Sequence, residues 1–204
     1  MADVLIDNQT APSTPASGKS VLWVDSTTKK FIQTDDSGIR HGSPLSKNAS
    51  TASLTITAAD TYVTNSGILI PSYGMEAGQV YRWWLTATKT AAGTAAAIYT
   101  VRVGSAQSTA DTSRLALTAT TAQTAAVSSG IISVFVVVRN VSASGVLAGG
   151  VGVQSNNAGL GSGISGVASS YDNSAQQGLY VGLSINNGAS GSWTVESCFA
   201  ELVS

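Results

Sequence analysis

The chain has 204 residues, of which only 10% are charged, and its formal net charge is −1. Ordinary soluble domains carry about 25% charged residues, and surface charge of either sign keeps proteins apart in solution. The composition therefore predicts that neighbouring subunits cover part of the surface. A net charge near zero also lacks the basic surface that nucleic-acid binding requires, so no nucleic-acid partner is expected.

The sequence shows no signature of secretion or of a membrane span. The N-terminus contains acidic residues and no apolar segment of a signal peptide. The longest nearly continuous apolar run, Ile131–Val138, is far shorter than the ~20 residues that cross a bilayer, so no membrane insertion is expected. A single cysteine, Cys198, excludes an internal disulfide, as expected of a protein made in a reducing cytoplasm.

The N-terminal segment differs from the rest, because residues 1–50 hold ten of the 21 charged residues. Two prolines, Pro12 and Pro15, predict an extended arm without regular pairing over residues 1–18. Two short apolar runs separated by turn residues then predict a β-hairpin, with strands at Ser20–Val24 and Lys30–Thr34. Residues 39–50 are interpreted as a linker. We therefore divide the chain into a module of residues 1–46 and a body of residues 50–204.

The body is predicted to be an all-β, jelly-roll-like antiparallel sandwich of about eight or nine strands, because short segments with alternating polarity recur between turn signals. The candidate strands are Ser53–Thr57, Gly67–Ile70, Gln79–Lys89, Ala97–Gly104, Arg114–Ala119, Gly130–Asn140, Gly145–Gln154, Gly178–Ile185 and Ser192–Val203. The Ala-rich segment Thr90–Ala97 is predicted to be a turn, since Gly93 interrupts it and no helical apolar stripe is present. Residues 153–177 are rich in Gly and Ser and are predicted to be a long loop.

Alternation along the candidate strands predicts which side chains face the core. Tyr81, Trp83 and Leu85 are expected on one face of their strand, with Arg82 and Trp84 on the other.

The same rule places Trp193, Val195 and Phe199 on one face, opposite Thr194, Glu196 and Cys198. Ile131–Val138 is apolar on both faces, which predicts a central strand or a strand that another subunit covers.

The sequence lacks the residue sets that catalysis or metal binding requires. There is one histidine, His41, in the predicted linker, so the usual histidine-based nucleophile and metal sites cannot be assembled. Cys198 lies in an apolar strand and is expected to be a buried packing residue. Glu196 and Glu201, five apart on one strand, are expected to point to opposite faces. We therefore expect no enzymatic activity and no cofactor or metal, and we interpret Asp35 and Asp36 as turn residues and not as calcium ligands.

Three side chains are candidates for contacts with other molecules. Trp84 and Arg82 share the outward face of their strand, and Tyr180 points outward from another. Aromatic residues and arginine are enriched at protein interfaces, and an exposed aromatic ring also stacks on sugars. The three residues are therefore predicted to contact a neighbouring subunit or a glycan.

The segment Pro15–Ile39 resembles a short module that recurs in structural proteins of tailed bacteriophages: Pro-x-x-Gly-Lys, an apolar strand, a Lys-rich turn, a second strand and Asp-Asp-x-Gly. The body is similar, over Thr61–Gly104 and Asn186–Leu202, to a β-sandwich of phage head-fibre, decoration and tail-fibre proteins. The residues that match the module are Pro15, Gly18, Lys19, Trp23, Lys29, Lys30, Phe31, Asp35, Asp36 and Gly38.

The resemblance implies a virion structural protein, trimeric and without catalytic activity, assembled in the cytoplasm of a bacterial host. Our leading hypothesis is a homotrimeric capsid decoration or head-fibre protein, anchored to the major capsid protein or another virion protein by its N-terminal module. The alternative is a small tail-fibre or baseplate protein that recognises a host surface glycan through Trp84, Tyr180 or residues 153–177. The residues expected to attach to the capsid are Lys19, Trp23, Lys29, Lys30, Phe31, Asp35 and Asp36.

Overall fold

The structure is a computed structural model, and the regular secondary structure of its described residues is almost entirely β-strand. It describes residues 8–9, 13–25, 31–34, 40–41, 46–71, 73–90, 93–120, 122–156, 160–161, 163–188 and 193–203. Within these ranges, no helix is long and apolar enough to cross a membrane.

The N-terminal residues form a four-stranded sheet in the order β1-β2-β3-β4. Its strands are β1 (Asn8–Gln9), β2 (Val21–Asp25), β3 (Phe31–Thr34) and β4 (Arg40–His41). The antiparallel pairing of β2 with β3 confirms the predicted hairpin. The arm was expected to be unpaired, but β1 pairs with β2 in parallel. Both prolines follow Gln9 in the sequence, so they do not prevent this short pairing.

The body contains twelve described strands, in a seven-stranded and a five-stranded sheet. They are β5 (Ser46–Ser50), β6 (Leu54–Ile56), β7 (Thr61–Tyr62), β8 (Ile68–Leu69), β9 (Val80–Lys89), β10 (Ile98–Gly104), β11 (Thr112–Thr118), β12 (Ser128–Asn140), β13 (Gly145–Ser155), β14 (Ile164–Tyr171), β15 (Tyr180–Asn186) and β16 (Trp193–Val203).

The seven-stranded sheet has the order β14-β13-β12-β9-β16-β5, and β6 also pairs with β16. The five-stranded sheet has the order β11-β10-β15-β7, and β8 also pairs with β15. All pairings within these two sheets are antiparallel, and side chains from both sheets form one hydrophobic core. The predicted all-β sandwich is confirmed, while jelly-roll connectivity stays a prediction.

Inward side chains of β9 confirm the alternation predicted for that strand. Tyr81, Trp83 and Leu85 are each at most 1% exposed. The indole N–H of Trp83 donates to the backbone oxygen of Ser66 at 2.7 Å, so this large side chain is buried without leaving its polar group unsatisfied. The inward face of β9 therefore forms the middle of the core.

Strand β12 is central, as its doubly apolar sequence predicted. It lies between β9 and β13. Its inward residues Val134, Val136 and Val138 are buried, whereas Ile131 and Phe135 are exposed on the opposite face. The second apolar face of this strand is therefore not used by the core of the body.

Two segments expected to lack regular structure form strands at the edges of the larger sheet. Residues 153–177, predicted to be a loop, contain β14, and the predicted linker contains β5, which pairs with β16. Strand β14 consists mostly of small residues, so its sequence resembles a loop. The same small residues allow β11 to pack closely against it. A Cβ on Gly166 would lie 2.7 Å from the Leu117 side chain on β11, so glycine at this position relieves crowding where the two elements meet.

A β-bulge in β16 overturns the predicted faces of that strand. The pairing with β9 shifts between Val195 and Ser197, and an extra residue in one strand reverses the alternation beyond it. Cys198 consequently points into the core, and Phe199 points outward with 38% of its surface exposed. The expectation that Phe199 shares the face of Trp193 was wrong.

Candidate interaction surface

Large apolar side chains are exposed on the outer face of the seven-stranded sheet. We call this set the aromatic face, and it consists of Trp84, Ile131, Phe135, Val167 and Phe199, which are 36–60% exposed. They come from β9, β12, β14 and β16. Contiguous exposed apolar surface of this kind marks interaction sites in soluble proteins.

The Trp84 ring of the aromatic face has neighbours on two sides. Phe199 is directly opposite in the register with β16, with ring centroids 5.7 Å apart and planes at 45°. The guanidinium carbon of Arg82 lies 4.7 Å from the centroid of the Trp84 ring. Such aromatic and cation–π contacts hold a side chain in one orientation, so little conformational entropy would be lost when a partner covers it.

The charge of Arg82 is neutralised within the sheet. Its Nε donates to Oε1 of Glu201 at 2.5 Å, and Glu201 is 8% exposed. A paired charge leaves the surrounding surface nearly neutral, which suits an apolar partner. The aromatic face therefore combines an exposed ring with an arginine that is already satisfied.

Glu196 also lies on this outer side of the sheet. Its carboxylate accepts from the hydroxyls of Ser53 at 2.7 Å and Thr88 at 2.9 Å, and these two bonds lower the pKa of Glu196. The expectation that Glu196 and Glu201 point to opposite faces was wrong, because the bulge brings both onto the outer face. Each carboxylate is held by its own partners, Glu196 by Ser53 and Thr88 and Glu201 by Arg82.

A shallow depression of about 460 Å³ lies beside Trp84. Ile131, Ser133 and Gln154 line it together with the backbone of β13 at Gly152. The Ser133 hydroxyl lies where a side chain at Gly152 would be, since a Cβ there would come within 2.8 Å of it. Because Gly152 has no side chain, the Ser133 hydroxyl fits against β13 at this point, next to the exposed indole of Trp84.

The structure brings together two of the three predicted contact residues and separates the third. Arg82 and Trp84 are neighbours on β9, whereas Tyr180 lies on β15, opposite Gly104 in the five-stranded sheet. Tyr180 is half-buried there. Tyr180 therefore lies apart from Arg82 and Trp84 within one chain, and the contacts predicted for the three residues stay predictions.

The hairpin residues expected to contact the capsid have different environments. Trp23 is 1% exposed, and its indole N–H donates to the Thr34 hydroxyl at 3.0 Å. Leu22, on the other face of β2, is 60% exposed. Lys19 is exposed in the turn before β2. Trp23 therefore stabilises the hairpin, and Leu22 is the large apolar side chain that β2 presents.

The structure describes little of the remaining residues that were expected to contact the capsid. Phe31 lies in β3, but its side chain is outside the described part of the structure. Lys29, Lys30, Asp35 and Asp36 are also outside the described residues. Their predicted contact with a capsid stays a prediction.

The described residues contain no group of three or more His, Cys, Asp or Glu side chains that could hold a metal ion. Cys198 is buried as predicted, and burial raises the pKa of its thiol to about 12. Asp172 accepts from the Ser174 hydroxyl at 2.6 Å, which lowers the pKa of Asp172. Burial in the core disfavours the thiolate, which is the reactive form of Cys198.

Sequence reasoning missed Phe199 and the depression next to Trp84. Alternation placed Phe199 inside, and only the bulge in β16 turns it outward. In comparisons with known proteins, no family model matches the chain and no curated protein matches it. Function is therefore inferred from the geometry of the aromatic face together with the sequence motifs.

Proposed function

We propose that this chain is a non-enzymatic structural protein of a tailed-bacteriophage virion, a homotrimeric capsid decoration or head-fibre protein. The sandwich associates with two further copies through the aromatic face, and residues 1–46 attach to the major capsid protein or another protein of the head. The exposed aromatic face on a chain with 10% charged residues carries this proposal. The resemblance of Pro15–Ile39 to a phage structural module supports the virion assignment.

Burial of the aromatic face would stabilise such an assembly. Transfer of apolar surface out of water contributes about 25 cal/mol per Å², and aromatic side chains bury about 150–250 Å² each when fully covered. Trp84 and Phe199 already pack against each other, so a partner would cover them as one rigid unit. Three copies related by a three-fold axis form a closed set of contacts, which prevents open-ended association.

Light scattering at micromolar protein concentration tests the assembly. The full chain is expected to have three times its 20.6 kDa mass. Trp84→Glu and Phe135→Glu each place a charge in the aromatic face and are expected to give monomers. Ala116→Glu is the matched control, because Ala116 is exposed on β11 in the other sheet and should leave the trimer intact. A monomer mass for the unchanged chain would contradict the proposal.

Attachment to the head is tested with a chain that begins at Ser46. This variant keeps β5 and the whole sandwich, so it should remain a trimer while failing to cosediment with phage heads that lack the protein. The full chain in the same experiment is the positive control. If the shortened chain still decorates heads, the role assigned to the N-terminal module is wrong.

The alternative, a tail-fibre or baseplate protein that binds a host glycan, is favoured by one observation. The exposed Trp84 ring adjoins a depression lined by Ser133 and Gln154, which resembles the combination of an aromatic ring and polar groups that sugars require. Under this alternative the purified protein adsorbs to host cells, and Trp84→Ala abolishes adsorption. Imaging of virions that carry the labelled protein separates a head position from a tail position.

A further inference from the structure

A second cavity, which is wide open to solvent, lies on the outer face of the five-stranded sheet and is not part of the aromatic face. It has a volume of about 530 Å³, which is within the range typical of ligand pockets. The segment from Asp60 to Asn65 and the turn between β10 and β11 form its walls. Its lining is polar and includes Asp60, Tyr62, Thr64, Asn65, Gln107 and Thr109.

Arg102 on β10 connects the two walls of this polar cavity. Its Nε donates to the Ser184 hydroxyl at 2.8 Å, and Nη1 donates to the backbone oxygens of Thr109 at 3.1 Å and Asp111 at 2.6 Å. Nη2 forms an ion pair with Asp60. Because these contacts engage the guanidinium and Asp60 balances its charge, Arg102 acts as a brace and not as a receptor for an anion.

The β10–β11 wall is held in one conformation by Asp111. Its carboxylate accepts from the backbone N–H groups of Ala106 at 2.9 Å and Ser108 at 3.4 Å. A Cβ at Gly104 would lie 2.1 Å from this carboxylate, so glycine is required for the aspartate to reach the turn. The wall is therefore organised before any ligand arrives.

Backbone strain is concentrated at the rim of the same cavity. Asn65 has φ 56° and Gln107 has φ 50°, and among the described residues they are the non-glycine positions with positive φ. Such conformations cost free energy and occur preferentially at functional sites. In addition, Oδ1 of Asp60 is buried with no hydrogen-bond partner in the described part of the chain. A buried acceptor in this state calls for a partner such as an ordered water.

We propose that this cavity binds a neutral saccharide. Its lining side chains carry amide, hydroxyl and carboxylate groups, so it offers both donors and acceptors to the hydroxyl groups of a polyol. Arg102 is charge-balanced by Asp60, which removes the attraction that a phosphate or an acidic sugar would need. Tyr62 contributes an aromatic surface against which the C–H face of a sugar ring packs.

Binding is tested on an array of neutral mono- and disaccharides made of hexoses, 6-deoxyhexoses and N-acetylhexosamines, followed by titration of the strongest binder. Asn65→Gly and Gln107→Gly each remove one amide while glycine keeps the positive φ. Each is expected to weaken binding about 2–10-fold, as for the loss of one hydrogen bond. Thr64→Trp, at the exposed rim, should fill the opening and abolish binding while the circular dichroism spectrum stays unchanged.

Ala143→Trp is the matched control, because Ala143 is exposed in the turn between β12 and β13 of the other sheet, and an added indole there should leave saccharide affinity unchanged. The proposal is overturned if the unchanged chain binds no sugar of the array, or if binding survives Thr64→Trp. Tighter binding of sialylated or phosphorylated sugars than of neutral ones would also overturn it. None of these outcomes depends on whether the chain is a virion protein.

Discussion

Gly182 lies where the ring of Tyr62 crosses the outer face of β15. A Cβ on Gly182 would lie 1.7 Å from the Tyr62 hydroxyl oxygen and 2.4 Å from the nearest atom of its ring. The ring is packed closely enough that burial raises the pKa of Tyr62 to about 12. Glycine at this position is therefore required for β7 to place its tyrosine against β15.

Gly182→Ala is expected to lower the free energy of unfolding by about 1–3 kcal/mol, the usual cost of forcing an extra carbon into a packed position. Urea unfolding followed by tryptophan fluorescence measures this change. The substitution should cost much less in a Tyr62→Ala background, because the clash is then absent. An equal cost in both backgrounds would show that the two residues do not oppose each other.

Strand β5 lies close to the boundary between the N-terminal module and the body. Ser46 pairs with Leu202 and Ser50 pairs with Cys198 on β16, so residues that were predicted to be a linker cover one edge of the larger sheet. The boundary between the two parts therefore lies before Ser46 when it is defined by strand pairing.

Two truncations on either side of β5 should differ sharply in stability. A chain that begins at Ser46 keeps every pairing of β16. We therefore expect its sandwich to unfold at nearly the same urea concentration as the sandwich of the full-length chain. A chain that begins at Thr51 loses the β5 ladder and should be less stable by at least about 2 kcal/mol, given about 0.5–1.5 kcal/mol for each hydrogen bond. Equal stability of the two truncations would contradict the assigned pairing.

Each of the nine strands predicted from the sequence overlaps an observed one, because alternation with a period of two is strong in segments such as Val80–Lys89. The described strands that were missed are β1, β4, β5, β7 and β14. Strand β7 has two residues, and β14 is built of small residues whose pattern resembles a loop. Their pairing depends on neighbours that are distant in sequence, which no local pattern reveals.

The candidate sites were predicted less completely than the fold. Alternation placed Arg82 and Trp84 outward, as observed, but it placed Phe199 inward because the bulge in β16 has no signal in the sequence. Lys89 is a second residue whose environment local sequence does not reveal. Its side chain continues the inward face of β9, and its Nζ donates to the Gly93 backbone oxygen at 2.6 Å. That acceptor becomes apparent only after the loop has folded.

At the scale of the whole molecule, buried tyrosine hydroxyls and the buried Cys198 thiol make the free energy of unfolding depend on pH in the alkaline range. Burial raises the pKa of Tyr62, Tyr171 and Cys198 to about 12, and it raises the pKa of Tyr81 and Tyr99 as well. In the unfolded chain these groups ionise near their ordinary values of 10.0 and 9.0. The unfolded state therefore releases protons first, and folding stability should be complete below about pH 9 and fall as the pH rises toward 12.

Urea unfolding under reducing conditions at pH 8.0 and pH 10.5 checks this expectation. The free energy of unfolding should fall between the two pH values, and Cys198→Ala should remove about 2 kcal/mol of that fall, since the thiol begins to ionise first. The substitution also changes stability at pH 8.0, so only the difference between the two pH values is compared. A difference that Cys198→Ala leaves unchanged would mean that the thiol is not protected by burial.

The position of β16 also affects how the protein is made. Of the described strands it is synthesised last, yet it lies inside the larger sheet, between β9 on one side and β5 and β6 on the other. During translation, β5, β6 and β9 leave the ribosome before β16. Their edges therefore stay unpaired until residues 193–203 have been synthesised. Unpaired strand edges in such intermediates promote aggregation, so a nascent chain interrupted before Trp193 should depend on chaperones to remain soluble.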